Sequence, residues 1–225
     1  MKSNVILQLI LKDWRRQRRM IVLSILAGGI ALAVIQMGGQ TPLVLGTVFF
    51  FIAIMFCACL LPITNIVNER KKQTLAFLMS LPISSSRYGA AKLLSTFGMF
   101  VVPWLTLVAA ALYMILFRHV LPKGVIPMTL ILANLPFIGF CLITGTALVG
   151  ESEGWGNVAV AVVNSSYWLA WYLLVSQVPS LSHNWSSPVA VWSPVVFKIL
   201  GVEFAMILLI LGTALYLQSR KRDFI

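Results

Sequence analysis

The sequence predicts an all-α membrane protein of six transmembrane helices, and three observations carry that reading. The 225-residue chain is 60% apolar and only 10% charged, whereas about a quarter of the residues of a soluble domain are charged. Its mean hydropathy is +0.94. Its apolar residues fall into six runs, 20–37, 43–64, 93–117, 125–150, 155–178 and 194–218, each near the roughly 20 residues that carry a helix across a bilayer. The runs do not alternate apolar and polar residues, which excludes a β-barrel.

The charges set the topology. A formal net charge of +11 would suit a nucleic-acid partner only if it lay on a polar face, and here it sits between apolar runs. Six Lys and Arg precede the first run, five lie in the 65–92 insert and three in the 219–225 tail. Against them stand Arg118, Lys123 and Lys198. The positive-inside rule then places both termini and the insert in the cytoplasm. The chain reads as one membrane domain: an N-terminal segment 1–19, spans one and two within 20–64, the insert 65–92, spans three to six within 93–218, and a short cytoplasmic tail.

The elements follow in order. Ile6, Leu7, Ile10, Leu11 and Trp14 share one helical face, and Lys12, Arg15, Arg16, Arg18 and Arg19 lie largely elsewhere. This predicts a basic amphipathic helix in the membrane interface, with Ile10, Trp14, Arg15 and Arg18 as its contact residues. Pro62 ends or kinks the second span. In the insert, Asn65 and Asn68 are placed to cap a new helix and Glu69 suits its positive end. Leu75, Leu78 and Met79 form its apolar face, and Pro82 stops it. The serine run 84–86 caps the third span.

Pro103, Pro127 and Pro136 predict kinked or broken helices in the later spans. The external segment 178–194 holds Pro179, Pro188 and Pro194, so it cannot be one helix. Short re-entrant or interfacial helices are expected there, with Trp185 and Trp192 in the headgroup zone.

Little in the chain suggests catalysis. It has no phosphate-binding glycine loop with Lys and Ser/Thr, and no paired-histidine zinc motif. His119 and His183 lack carboxylate neighbours. Cys57, Cys59 and Cys141 sit inside apolar runs and read as small hydrophobes. Of the polar residues inside spans, Gln36, Asn134 and Asn164 suit interhelical hydrogen bonds. Glu203 is the one carboxylate well inside a run. It is either a proton or substrate site, or, as the plainer reading, a group near the outer interface hydrogen-bonded locally, with Lys198 as partner.

The insert carries a motif. ERKKQTLAFLMSLPISSSR resembles a pattern of the type-2 ABC transporter permeases (the ABC-2 exporter transmembrane subunits), matched at Glu69, Arg70, Thr74, Leu75, Leu78, Ser80, Leu81, Pro82, Ser84 and Arg87. Gln73 stands where the family commonly has Gly. The expected layout agrees along the whole chain. The resemblance implies a cytoplasmic coupling helix between spans two and three. Glu69, Arg70, Thr74, Leu75, Leu78, Met79, Leu81 and Pro82 would dock there on a separate cytosolic ABC ATPase.

By the same resemblance, ATP and Mg would belong to that partner, with no cofactor or metal in this chain. A second permease chain, identical or paralogous, would complete the path in the bilayer of a bacterial cytoplasmic (inner) membrane. The cargo would leave the cytoplasm or inner leaflet. The aromatic spans lean toward a hydrophobic or amphipathic one: peptide, drug or lipid-like. From the residues alone, two alternatives stay open: an ion-coupled secondary transporter, and a membrane immunity or scaffold protein that does not transport.

Overall fold

In the computed structural model, residues 2–68, 85–150 and 153–220 are described. They form six long helices, each long and apolar enough to cross a membrane: α1 Lys2–Gln36, α2 Gln40–Pro62, α3 Ser85–Phe117, α4 Ile126–Val149, α5 Glu153–Gln177 and α6 Pro194–Arg220. The six expected spans are therefore all present as helices.

α1 and α2 form a hairpin. Its turn uses Gly38 and Gly39, with φ of 75° and 89°, a backbone region that costs glycine little and other residues more. The two helices pack along their length because small residues face the seam. A Cβ on Gly46 would lie 2.8 Å from the Ala31 carbonyl and 2.5 Å from Ile35 Cγ1. Deeper in, the Ser24 hydroxyl donates to the Ala53 carbonyl at 2.9 Å. Small residues and hydroxyl bonds are how helices associate where lipid removes most of the hydrophobic drive. Gly46→Val is expected to destabilise the protein by about 1–3 kcal/mol through overpacking. Gly29→Ala, which meets nothing within 4 Å and lies inside α1, should leave stability unchanged or raise it by up to about 1 kcal/mol. Thermal unfolding of the two variants in detergent checks this.

α4 is the central helix. It packs on α2, α3, α5 and α6, and 61% of its most apolar window is buried, against 17% for α5 and for α6. An aromatic ladder fastens α3 to α4. Phe100 stacks on Phe140 with centroids 4.3 Å apart, and Phe137 stacks on Phe100 and on Trp104. The Trp104 indole donates to the Ala133 carbonyl at 2.7 Å, so the one polar atom of the ladder is satisfied, as buried Trp requires.

Several sequence expectations change. The expected interfacial helix 1–19 and the first span are one unbroken helix, because nothing between Asp13 and Ala27 is Gly or Pro. At 1.5 Å per residue α1 is about 52 Å long, well beyond a hydrocarbon core of about 30 Å. α3 begins at Ser85 rather than near 93, so Lys92 is a helix residue and not a loop residue. Pro103 and Pro136 lie inside helices that continue through them, and Pro127 sits in the first turn of α4, where its missing N–H is harmless.

At Pro62 the regular α-helix of the second span ends, as its missing N–H predicts, but the span itself continues. The chain goes on as a π-helical turn, Ile63–Val67, the wider ladder that accommodates a disrupted hydrogen bond. Segment 178–194 contains one helical turn, Pro179–Ser182, followed by turns and extended chain, and no re-entrant pair. Gln36 is exposed at the end of α1, too far out to bridge helices.

Candidate functional site

The expected coupling residues Glu69, Arg70, Thr74, Leu75, Leu78, Met79, Leu81 and Pro82 lie outside the described residues. The chain on either side of them is described, and it converges with α1 on a buried polar seam.

The seam starts with Asp13. Asp13, Gln17, Ile21, Ser24, Gly28 and Ala31 fall three or four residues apart and form the buried stripe of α1. Asp13 pairs with Lys92 in the first turns of α3, Nζ to Oδ2 at 2.7 Å, with the two side chains 0% and 1% exposed. Ser95 also approaches Oδ2, at 3.5 Å. One turn further along α1, Gln17 Nε2 donates to the Thr64 hydroxyl at 2.9 Å. Thr64 in turn donates to the Leu60 carbonyl at 2.7 Å. Asn65 Nδ2 donates to the Thr96 hydroxyl at 2.7 Å, and Thr96 returns its proton to the Lys92 carbonyl at 2.8 Å.

Three segments are thus linked pairwise: α1 to α3 by the ion pair, α1 to the π-turn by Gln17, and the π-turn to α3 by Asn65. The π-turn precedes the insert and α3 follows it, so the seam fixes both ends of residues 69–84 against α1. Buried charges and amides are tolerated only when paired. Asp13 Oδ1 and Asn65 Oδ1 keep no partner among the described residues, so the seam carries unspent acceptor capacity.

Other expected residues fall elsewhere. Asn65, the expected cap of an insert helix, is fully buried and its amide donates across to Thr96 of α3, while the segment it was expected to cap lies outside the described residues. The N-terminal contact face also shifts. Arg15 and Arg18 are exposed and Ile10 and Trp14 half-buried, but Leu11 is exposed and the buried face turns toward Asp13 and Gln17. The polar residues face inward there because α3 and the π-turn supply matching partners.

Asn164 Nδ2 donates to the Val160 carbonyl at 3.1 Å and reaches Cys59 Sγ on α2 at 3.8 Å. Asn134 on α4 donates to Glu203 Oε2 on α6 at 3.3 Å. Glu203 is therefore bonded across helices rather than to Lys198, which is exposed. It stands nine residues from Pro194, about 13 Å along the axis, deeper than the rim of the bundle.

Asp13 and the Asn65–Thr96 bond were not foreseen. The available signal was the lone acid in a basic cluster, with polar and small residues following it at helical spacing. No three His, Cys, Asp or Glu come together among the described residues.

The family model described as ABC-2 family transporter protein matches residues 8–219. No curated protein and no solved structure gives a significant match.

Proposed function

Since the chain belongs to the ABC-2 family of transporter proteins, a family of membrane permeases, we propose that it is the transmembrane half of an ATP-driven exporter. A separate cytosolic ATPase binds and hydrolyses the nucleotide with its Mg, and grips this chain at residues 69–82. Both termini and the insert face the cytoplasm, and a second permease chain completes the path. The cargo is hydrophobic or amphipathic, consistent with spans that are apolar and rich in aromatic side chains.

The seam is the observation that supports this reading. A force applied to residues 69–84 enters the bundle at both ends of the segment. The Asp13–Lys92 pair and the Gln17–Thr64 bond tie those ends to α1, and the Asn65–Thr96 bond ties them to each other, so α1, α2 and α3 respond together. A flexible connection would dissipate the movement. Elements that shift as packed units between discrete arrangements are the physical basis of long-range coupling.

Co-expression with a Walker-motif ATPase encoded beside the gene, followed by reconstitution into liposomes, tests the proposal. A stable complex with cargo-stimulated ATP hydrolysis is expected. The double change Glu69→Ala and Leu78→Asp should abolish both complex and stimulation without lowering the melting temperature of the permease alone. Full assembly and stimulation in that variant would refute the docking assignment.

A further inference from the structure

α5 and α6 both pack on α4 and scarcely on one another. Between them lies a cavity of about 580 Å³. Its walls are almost wholly aliphatic, Leu173 and Met206 among them, and its polar lining is confined to Glu203, Tyr167, Ser166 and Lys198.

Two of these polar groups are unsatisfied. Glu203 is 5% exposed. Asn134 satisfies Oε2, but Oε1 has no partner among the described residues. Tyr167 is 4% exposed, and its hydroxyl also lacks a partner. A buried polar atom left unpaired costs about 1–3 kcal/mol, and more when charged. A carboxylate inside a membrane span marks an interior or a ligand path rather than packing. Lys198 lines the same cavity five residues earlier on α6, but it is exposed and makes no ion pair with Glu203 among the described residues. The long apolar walls, a carboxylate with one buried, unpartnered oxygen and an aromatic ring together describe the complement of a hydrophobic cation.

We propose that the groove between α5 and α6 binds a hydrophobic monocation, an amine or a quaternary onium. Its charge lies against Glu203 and Tyr167, and its apolar body lies along the aliphatic walls. That this ligand is cargo rests on the export reading; that the groove binds it does not.

The test uses the purified full chain in lipid nanodiscs, without any ATPase, titrated with tetraphenylphosphonium. Saturable binding is expected. Glu203→Gln, which keeps the shape and can still bond Asn134, should weaken it about tenfold or more, a loss of at least about 1.4 kcal/mol. Glu203→Asp should retain most of the affinity, and Tyr167→Phe should lose a few-fold. Tetraphenylborate, of the same shape and opposite charge, should not compete. The melting temperature of each variant separates lost binding from lost fold.

The proposal is overturned if wild-type protein shows no saturable binding at millimolar probe. It also fails if Glu203→Gln binds like wild type, if well-folded Glu203→Asp is as weak as Glu203→Gln, or if tetraphenylborate binds equally. Binding intact in a chain that shows no ATP-driven export would speak against the export reading alone.

Discussion

Lys92→Met is expected to destabilise the protein by about 3–5 kcal/mol, the usual consequence of stripping one partner from a buried ion pair. The geometry explains the size. Asp13 and Lys92 meet at 2.7 Å with almost no exposure, so removing the ammonium leaves a carboxylate in a low-dielectric seam. Among the described residues, the Ser95 hydroxyl, at 3.5 Å from Oδ2, is placed to replace part of the loss. Asp13→Asn should also destabilise, because it removes the buried carboxylate that meets the Lys92 ammonium at 2.7 Å.

The double variant Asp13→Asn with Lys92→Met removes both charges together and should be markedly more stable than the sum of the single losses implies. Replacing a whole buried pair by uncharged groups is often close to neutral. Unfolding of all four proteins in detergent, followed by circular dichroism, gives the coupling energy directly. Additive losses, or a Lys92→Met protein as stable as wild type, would show that the pair does not hold α1 to α3. If the seam also transmits the partner's motion, the double variant should fold yet show impaired cargo-stimulated ATP hydrolysis in the complex.

What the sequence made legible follows from the physics of each signal. The spans were readable because an apolar run of bilayer length has few other uses, and all six appear as helices. The ABC-2 resemblance, resting on Glu69–Arg87 and the layout, agrees with the family match over residues 8–219. Interhelical contacts were far less legible. Asn134 was read as an interhelical donor and is one, but its acceptor, Glu203, is 69 residues away, and linear pattern holds no such pairing. Lys198, close in sequence, was the wrong partner for the same reason.

The N-terminal segment failed differently. Amphipathic reading assumes that apolar residues turn inward, and here Asp13 and Gln17 turn inward because Lys92 and Thr64 meet them. A buried polar face looks like an exposed one until its partners are known. Of the two outcomes the prolines predicted, a kink or a break, the break does not occur: α3 and α4 run on through Pro103 and Pro136, where packing contacts outweigh a local penalty of about 3 kcal/mol.

Gly124→Val is expected to loosen the end of the bundle away from the seam, and with a large local effect. Gly124 is buried in the 3₁₀ turn before α4. Its N–H donates to the Ser187 carbonyl at 3.0 Å, and any Cβ would run into the Asn184 carbonyl. That carbonyl cannot step aside cheaply. It closes a turn by accepting the Ser187 N–H at 3.1 Å, and buried Leu181 anchors the chain just before it. Obstructions made of flexible side chain relax, whereas this one is backbone. A valine must therefore push segment 179–193 off the α3–α4 connection and break the Gly124–Ser187 bond.

The displaced segment carries Trp185, which with Trp171, Phe51 and Met128 lines an apolar cavity of about 280 Å³. Uncovering it would add exposure to the broken bond. Overpacking and a lost hydrogen bond together should lower stability by about 2–4 kcal/mol. The loss should be local, because the seam at residues 13–17, 64–65 and 92–96 lies at the other end of the helices. Amide exchange read by mass spectrometry should therefore accelerate over 179–193 while the first turns of α3 stay protected. Unchanged exchange in 179–193 would mean that Gly124 is not the anchor of that segment. Acceleration spread evenly over all six helices would mean that the two ends of the bundle unfold as one unit.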